Sequence, residues 1–128
     1  MAATVLDASA LLALLHHEAG ADVVLRHLPG AQISAVNLSE VLAKLQEAGM
    51  PADEAQAACG LLPITVRDFG TEEAQGTADL RVPTRHAGLS LGDRACLQLA
   101  KAEQAPAITA DRNWSKLDVG VEVLVIRP

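Results

Sequence analysis

Four acidic residues stand at the edges of apolar segments. Asp7 ends "ATVLD", Asp111 ends "PAITAD", Glu40 lies within "VNLSEVLAKL" and Asp93 within "SLGDRACLQLA". Carboxylates are seldom buried unless they are paired or bound to a metal. Brought together without enough cations, four of them repel one another and their pKa values rise. A divalent cation removes that penalty, and an all-oxygen donor set suits Mg²⁺ or Mn²⁺ rather than Zn²⁺. Bound to such a set, these ions convert water into a nucleophile and neutralise phosphate oxygens, which is the chemistry of phosphodiester hydrolysis.

Whether the four acids meet depends on the elements that carry them. "ATVLD" reads as a short buried strand and "SALLALLHHE" as a helix with leucines at helical spacing. "GADVVLRHL" is a second helix, stopped at Pro29-Gly30, and "AQISA" a second strand. "VNLSEVLAKLQEAG" is amphipathic, with Val41, Leu42 and Leu45 on one face and Gly49 at its end. "PADEAQAACGLL" opens with Pro51 in a first helical turn. "ITVRDF" (Ile64 to Phe69) is a strand, and Thr71 opens the helix "TEEAQGTADLRV". "GDRACLQLAKAEQ" buries Cys96, Leu97, Leu99 and Ala100, "PAITAD" ends in a strand, "RNWSKL" is a short helix and "VEVLVIRP" a last strand. Strands alternating with helices predict an α/β fold: a three-layer α/β/α sandwich around a mostly parallel sheet of about five strands. In such sheets, chemistry gathers at the carboxyl ends of the strands. Asp7 and Asp111 end strands, while Glu40 and Asp93 lie early in helices that follow loops on the same edge.

Taken singly, each acid has an ordinary explanation. Asp7 and Asp111 suit helix N-caps, and both "NLSE" and "SLGD" have capping-box spacing. Acids near helix N-termini are also favoured by the macrodipole. For one acid alone, capping outweighs catalysis. The ordered set of four is what points to a metal site.

Bulk properties narrow the classes. The 128 residues make one domain, 1–128, and half of them are hydrophobic, so the chain is globular. A net charge of −6 argues against a basic protein that coats nucleic acid, but not against a nuclease with an acidic centre. With only Phe69 and Trp114 as aromatics, a base-stacking platform for single strands is excluded. Cys59 and Cys96 read as small buried hydrophobes, neither a disulfide framework nor a CxxC site. No signal-peptide pattern is visible, and the longest apolar run, Ala10 to Leu15, is too short to span a bilayer, so a cytoplasmic protein with no membrane association is expected.

"VLDASALLALL", "SAVNLSEVLAKL", "LSLGDRACLQLA" and "ITADRNWSKL" together resemble the four acidic blocks of the PIN domain, and more narrowly the VapC toxins of bacterial type II toxin–antitoxin pairs. The blocks run in the family's order from Val5 to Leu117. The resemblance implies an Mg²⁺- or Mn²⁺-dependent endoribonuclease with Asp7, Glu40, Asp93 and Asp111 as its catalytic and metal-binding acids. It also implies hydroxyls at Ser9 and Thr109 that hold acids or water. A further acid often follows the fourth in this family, where this chain has Asn113, Trp114 and Ser115; Asn113 could donate a hydrogen bond there instead. Implied partners are an RNA substrate, a small VapB-like antitoxin and a second copy of the chain in a homodimer. Apolar helices around "LLALL" and "DVVLRHL" could form the antitoxin's groove.

The remaining polar residues divide. Arg85, Arg94 and Arg112 suit equally an RNA-backbone rim and internal ion pairs. Arg81, His86 and Lys116 read as solvated surface, and His16 and His17 as a helix end. Asn37 either caps its helix or reaches the pocket one turn before Glu40. Trp114 reads as a core anchor. Two other classes compete. A catalytically silent PIN-like module that binds a small protein partner would be marked by loss of one acid, and none is lost. An aspartyl-phosphate receiver needs a lysine at the end of a later strand, and a DxD phosphatase needs an acid where Ser9 stands.

Overall fold

The structure, a computed structural model, describes residues 3–128. β1 (Thr4–Leu6) is followed by α1 (Ala8–Leu15) and α2 (Ala21–Arg26), and β2 (Ala31–Ser34) by α3 (Ala35–Glu47) and α4 (Ala52–Gly60). Next come β3 (Thr65–Arg67), α5 (Thr71–Asp79) and α6 (Leu91–Glu103). β4 (Ala107–Thr109) then leads through a 3-10 turn at Arg112–Lys116 to β5 (Val123–Val125). The five strands are all parallel, in the order β3-β2-β1-β4-β5.

Alternation along the central strands builds the layers. Val5 and Ala107 share one core with Leu80, Cys96, Leu97, Ala100 and Trp114, the face covered by α5 and α6. Leu6 and Ile108, the next residue of each strand, pack with Ala10, Ala13 and Val24 under α1 and α2. Leu11, Ile33, Val41, Leu45 and Ala55 fill the space where α1, α3 and α4 meet. Both faces of the sheet are thus covered, which is why β1 and β4 have no exposed residue.

The strand order sets where a site can lie. The chain runs outward from β1 to β2 and β3, then returns to the other side of β1 for β4 and β5. The connections after β1 and β4 therefore diverge, and the crevice between those carboxyl ends is the topological switch point of the sheet. Leu6 pairs with Ile108 in the last rung before it opens.

Several expected boundaries shift for local reasons. β3 and β5, the edge strands, keep only three residues of the longer segments expected. Ser34 caps α3, accepting from the Val36 N–H at 3.2 Å, so the helix starts before "NLSE" and that segment is not a capping box. Pro51 is the N-cap of α4 rather than part of its first turn, whereas Thr71 opens α5 as expected, with Gly70 as its N-cap. Cys96 is buried as expected, whereas Cys59 and Leu42 are only half-buried. A short 3-10 turn at Arg85–Ala87 had no sequence counterpart.

Candidate functional site

Asp7 follows the last residue of β1 and begins α1. Its Oδ1 accepts from the Ala10 N–H at 2.8 Å and from Ser9 Oγ at 2.7 Å, and its Oδ2 from Thr109 Oγ1 at 2.5 Å. The expected cap is therefore real, but it is only one of three donors. Thr109 ends β4, so its hydroxyl ties the two strand ends of the switch point together. It also accepts from the Asp111 N–H at 3.0 Å, while Ser9 Oγ accepts from the Ala110 N–H at 2.9 Å. Ser9 and Thr109 thus couple Asp7 to the start of the Asp111 segment.

Asp7 is 5% exposed. Burial pushes its pKa from 3.8 up to about 6; the three donors oppose that rise, and the charge of Asp93 adds to it. A carboxylate with three good hydrogen bonds should titrate low, so desolvation is the dominant force here. No salt bridge among the described residues involves Asp7, Glu40, Asp93 or Asp111.

Asp93 is half-buried in the first turn of α6. It forms a capping box with Ser90: the Asp93 N–H donates to Ser90 Oγ at 3.1 Å and the Ser90 N–H to Asp93 Oδ2 at 3.0 Å. Glu40, also half-buried, lies one turn after Asn37 on α3. Asn37 is not the helix cap; its Nδ2 donates to Glu40 Oε1 at 2.9 Å and to the Gly92 carbonyl of α6 at 3.0 Å. Asn37 Oδ1 is left buried with no partner among the described residues, a cost of about 1–3 kcal/mol. The thiol of Cys96, three residues after Asp93 on α6, is fully buried. Burial pushes it well up, and the charges of Asp7, Asp93 and Glu40 push it further.

Asp111 stands apart. It is exposed, and its Oδ1 accepts from the Asn113 N–H at 2.9 Å as the cap of the 3-10 turn. Asn113 contributes its backbone there rather than its side chain. As the side chains stand, no three His, Cys, Asp or Glu residues among those described are grouped closely enough to hold a metal ion. Each acid is turned toward a local donor instead.

The arginines also separate. Arg85 and Arg112 are exposed. Arg94, expected equally at an RNA rim or in an internal contact, is half-buried between helices and donates to the Thr77 carbonyl of α5 at 3.2 Å. Trp114 is fully buried in the α5–α6 core, and His16 and His17 end α1. One residue escaped sequence reasoning. A side chain at Gly92 would overlap the Glu40 carboxylate, so with any other residue there Glu40 must turn away. The available signal was a glycine inside the first turn of a helix, where it costs about 1 kcal/mol relative to alanine.

Comparison with known proteins places this geometry. The PIN domain family matches residues 4–120. Among solved structures, a DNA-bound VapBC from Salmonella typhimurium superposes with a TM-score of 0.73 at 17% identity, covering 97% of this chain and 98% of its own. VapC20 from Mycobacterium tuberculosis, a toxin that cleaves the sarcin-ricin loop, gives 0.72 at 16% identity, covering 94% of this chain and 99% of its own. A toxin–antitoxin complex from Klebsiella pneumoniae gives 0.70 at 18%, covering 94% and 99%. No curated protein matches the sequence. At these identities the superpositions establish a shared fold.

Proposed function

The chain belongs to the PIN domain family, and from that premise we propose that it is a metal-dependent endoribonuclease acting as the VapC-type toxin of a toxin–antitoxin pair. The observation that carries the reading is Asp7. A carboxylate at the switch point is buried, without a cationic partner among the described residues, and pushed up to about 6, the charge of Asp93 adding to the rise. That environment disfavours negative charge until a cation arrives. The donors Asp7, Glu40, Asp93 and Asp111 offer only carboxylate oxygens, which fits Mg²⁺ or Mn²⁺. When bound, such an ion supplies a hydroxide-like nucleophile and charge neutralisation at the phosphate.

The chain's own residues divide the remaining work. Ser9 and Thr109 hold both oxygens of Asp7 in one orientation. Ser90 fixes Asp93 against the first turn of α6. Asp111, exposed at the mouth, takes its place by turning from its own cap. Arg85 and Arg112, exposed and near the acidic segments in sequence, contact the RNA backbone. The protein partners are a small VapB-like antitoxin and a second copy of the chain.

Purified protein incubated with RNA is expected to cut it in Mg²⁺ or Mn²⁺ and to stop in EDTA, with Asp7→Asn and Asp93→Asn both inactive. If both variants cut as fast as the parent, the site is elsewhere. A second reading, a silent module that only binds a protein partner, draws on the local hydrogen bonds that occupy every acid. Stoichiometric antitoxin binding by a protein that never cuts RNA in any divalent metal would favour it.

A further inference from the structure

We propose that Asn37 and Gly92 are positioning residues for Glu40, which together hold its carboxylate against the first turn of α6 beside Asp93. The inference rests on the reading of the acids as a hydrolytic site only in so far as Glu40 belongs to that site.

The geometry is specific. Asn37 and Glu40 are one turn apart on the same face of α3. The Asn37 amide bridges from Glu40 Oε1 to the Gly92 carbonyl, 55 residues away in the chain. Both partners are acceptors, so the amide has one workable orientation: flipping it would set its oxygen against two others. That orientation leaves Oδ1 buried without a protein donor, so the contact is not explained by the packing of Asn37 alone. Gly92 supplies the complementary half. Its backbone requires no left-handed angle; what it supplies is space, because a Cβ there would overlap the carboxyl carbon and both oxygens of Glu40. A glutamate side chain otherwise keeps several rotatable bonds in a half-buried cleft. Here a donor on one side and an absent side chain on the other select one position. The same turn of α6 carries the Ser90–Asp93 capping box, so acids from two helices are referenced to one rigid feature.

The test uses the full chain and two readouts, Mn²⁺ affinity by calorimetry and thermal melts in EDTA. Asn37→Ala is expected to weaken Mn²⁺ binding roughly tenfold or more, as loss of an orienting partner does. In a Glu40→Ala background the same substitution should change affinity by less than about twofold, because the two residues act as a unit. Gly92→Ala should lower the melting temperature of the parent, yet be neutral or stabilising in a Glu40→Ala background, where the overlap is gone. Equal Mn²⁺ losses from Asn37→Ala with and without Glu40 would overturn the proposal, as would an equal melting penalty from Gly92→Ala in both backgrounds. If the parent binds no Mn²⁺, the hydrolytic reading fails, and the Gly92 and Glu40 melts alone decide the positioning claim.

Discussion

Asp7 and Asp111 occupy equivalent places in the chain and different places in space. Each follows a central parallel strand at the switch point, and each caps the helical turn after it with Oδ1. Asp7 lies beneath α1 and is 5% exposed, with its second oxygen held by Thr109. Asp111 is in solvent, and among the described residues its side-chain oxygens accept one hydrogen bond, that of the cap. Identical local roles therefore give one carboxylate that burial raises to about 6 and another that stands in solvent. Depth below the sheet edge, not position at a strand end, separates these two carboxylates; under the proposed function it would separate a central metal ligand from a peripheral one.

The largest expected effect separates the two by activity. Asp7→Asn should lower Mn²⁺-dependent RNA cleavage by roughly a thousandfold, about 4 kcal/mol, the scale of charge stabilisation that a bound cation supplies. Asp111→Asn should cost roughly tenfold to a hundredfold, measured in the same assay at saturating metal. Equal losses would break the distinction between a deep and a peripheral ligand.

The next effect is a pH dependence of stability in EDTA. The folded pKa of Asp7, about 6, lies above its ordinary value of 3.8, so folding favours the protonated form. Its contribution is complete below pH 3.8 and is lost as the pH rises through 6, which amounts to about 3 kcal/mol. Denaturant melts of the parent should therefore lose stability between pH 4 and pH 7 relative to Asp7→Asn, which cannot charge. Parallel curves for the two proteins would show that Asp7 is not desolvated. Mn²⁺ at pH 7 should restore the parent and leave Asp7→Asn nearly unmoved.

Smaller effects test the coupling between the strand ends. Thr109→Val leaves Asp7 Oδ2 and the Asp111 N–H without their shared partner and should cost about 1–3 kcal/mol in a denaturant melt. Its loss of stability with pH should also extend to higher pH, since a donor that lowers the folded Asp7 pKa is gone. Asp111→Asn sits at the other end of the scale. Asparagine caps as well as aspartate, so its melt should stay within about 0.5 kcal/mol of the parent while its activity falls.

How much of this was legible in the sequence varies with the range of the interaction. The parallel sandwich follows from strands and helices that alternate with clear periodicity, and the five strands lie where the apolar runs stand. Strand lengths were less readable, because β3 and β5 keep only three residues of longer segments and no local pattern marks where they stop. The acids stood out as a set at element boundaries, yet their caps are also present, so neither reading of Asp7 excluded the other. Asn37 could not be assigned from sequence, because Ser34 takes the cap and the decisive partner is Gly92, on a different helix. Arg94 was undecidable for the same reason: its carbonyl partner belongs to α5.

The central claim is that Asp7, Glu40, Asp93 and Asp111 hold one divalent-metal site at the switch point of the sheet. Crystals soaked in Mn²⁺ and measured at the manganese absorption edge test it directly. The account predicts an anomalous peak beside Asp7 and Asp93, with Glu40 turned toward it and the Asp111 side chain released from the Asn113 N–H. A peak absent from that crevice, or one bound elsewhere with Asp7 still held by Ser9 and Thr109 alone, would contradict it.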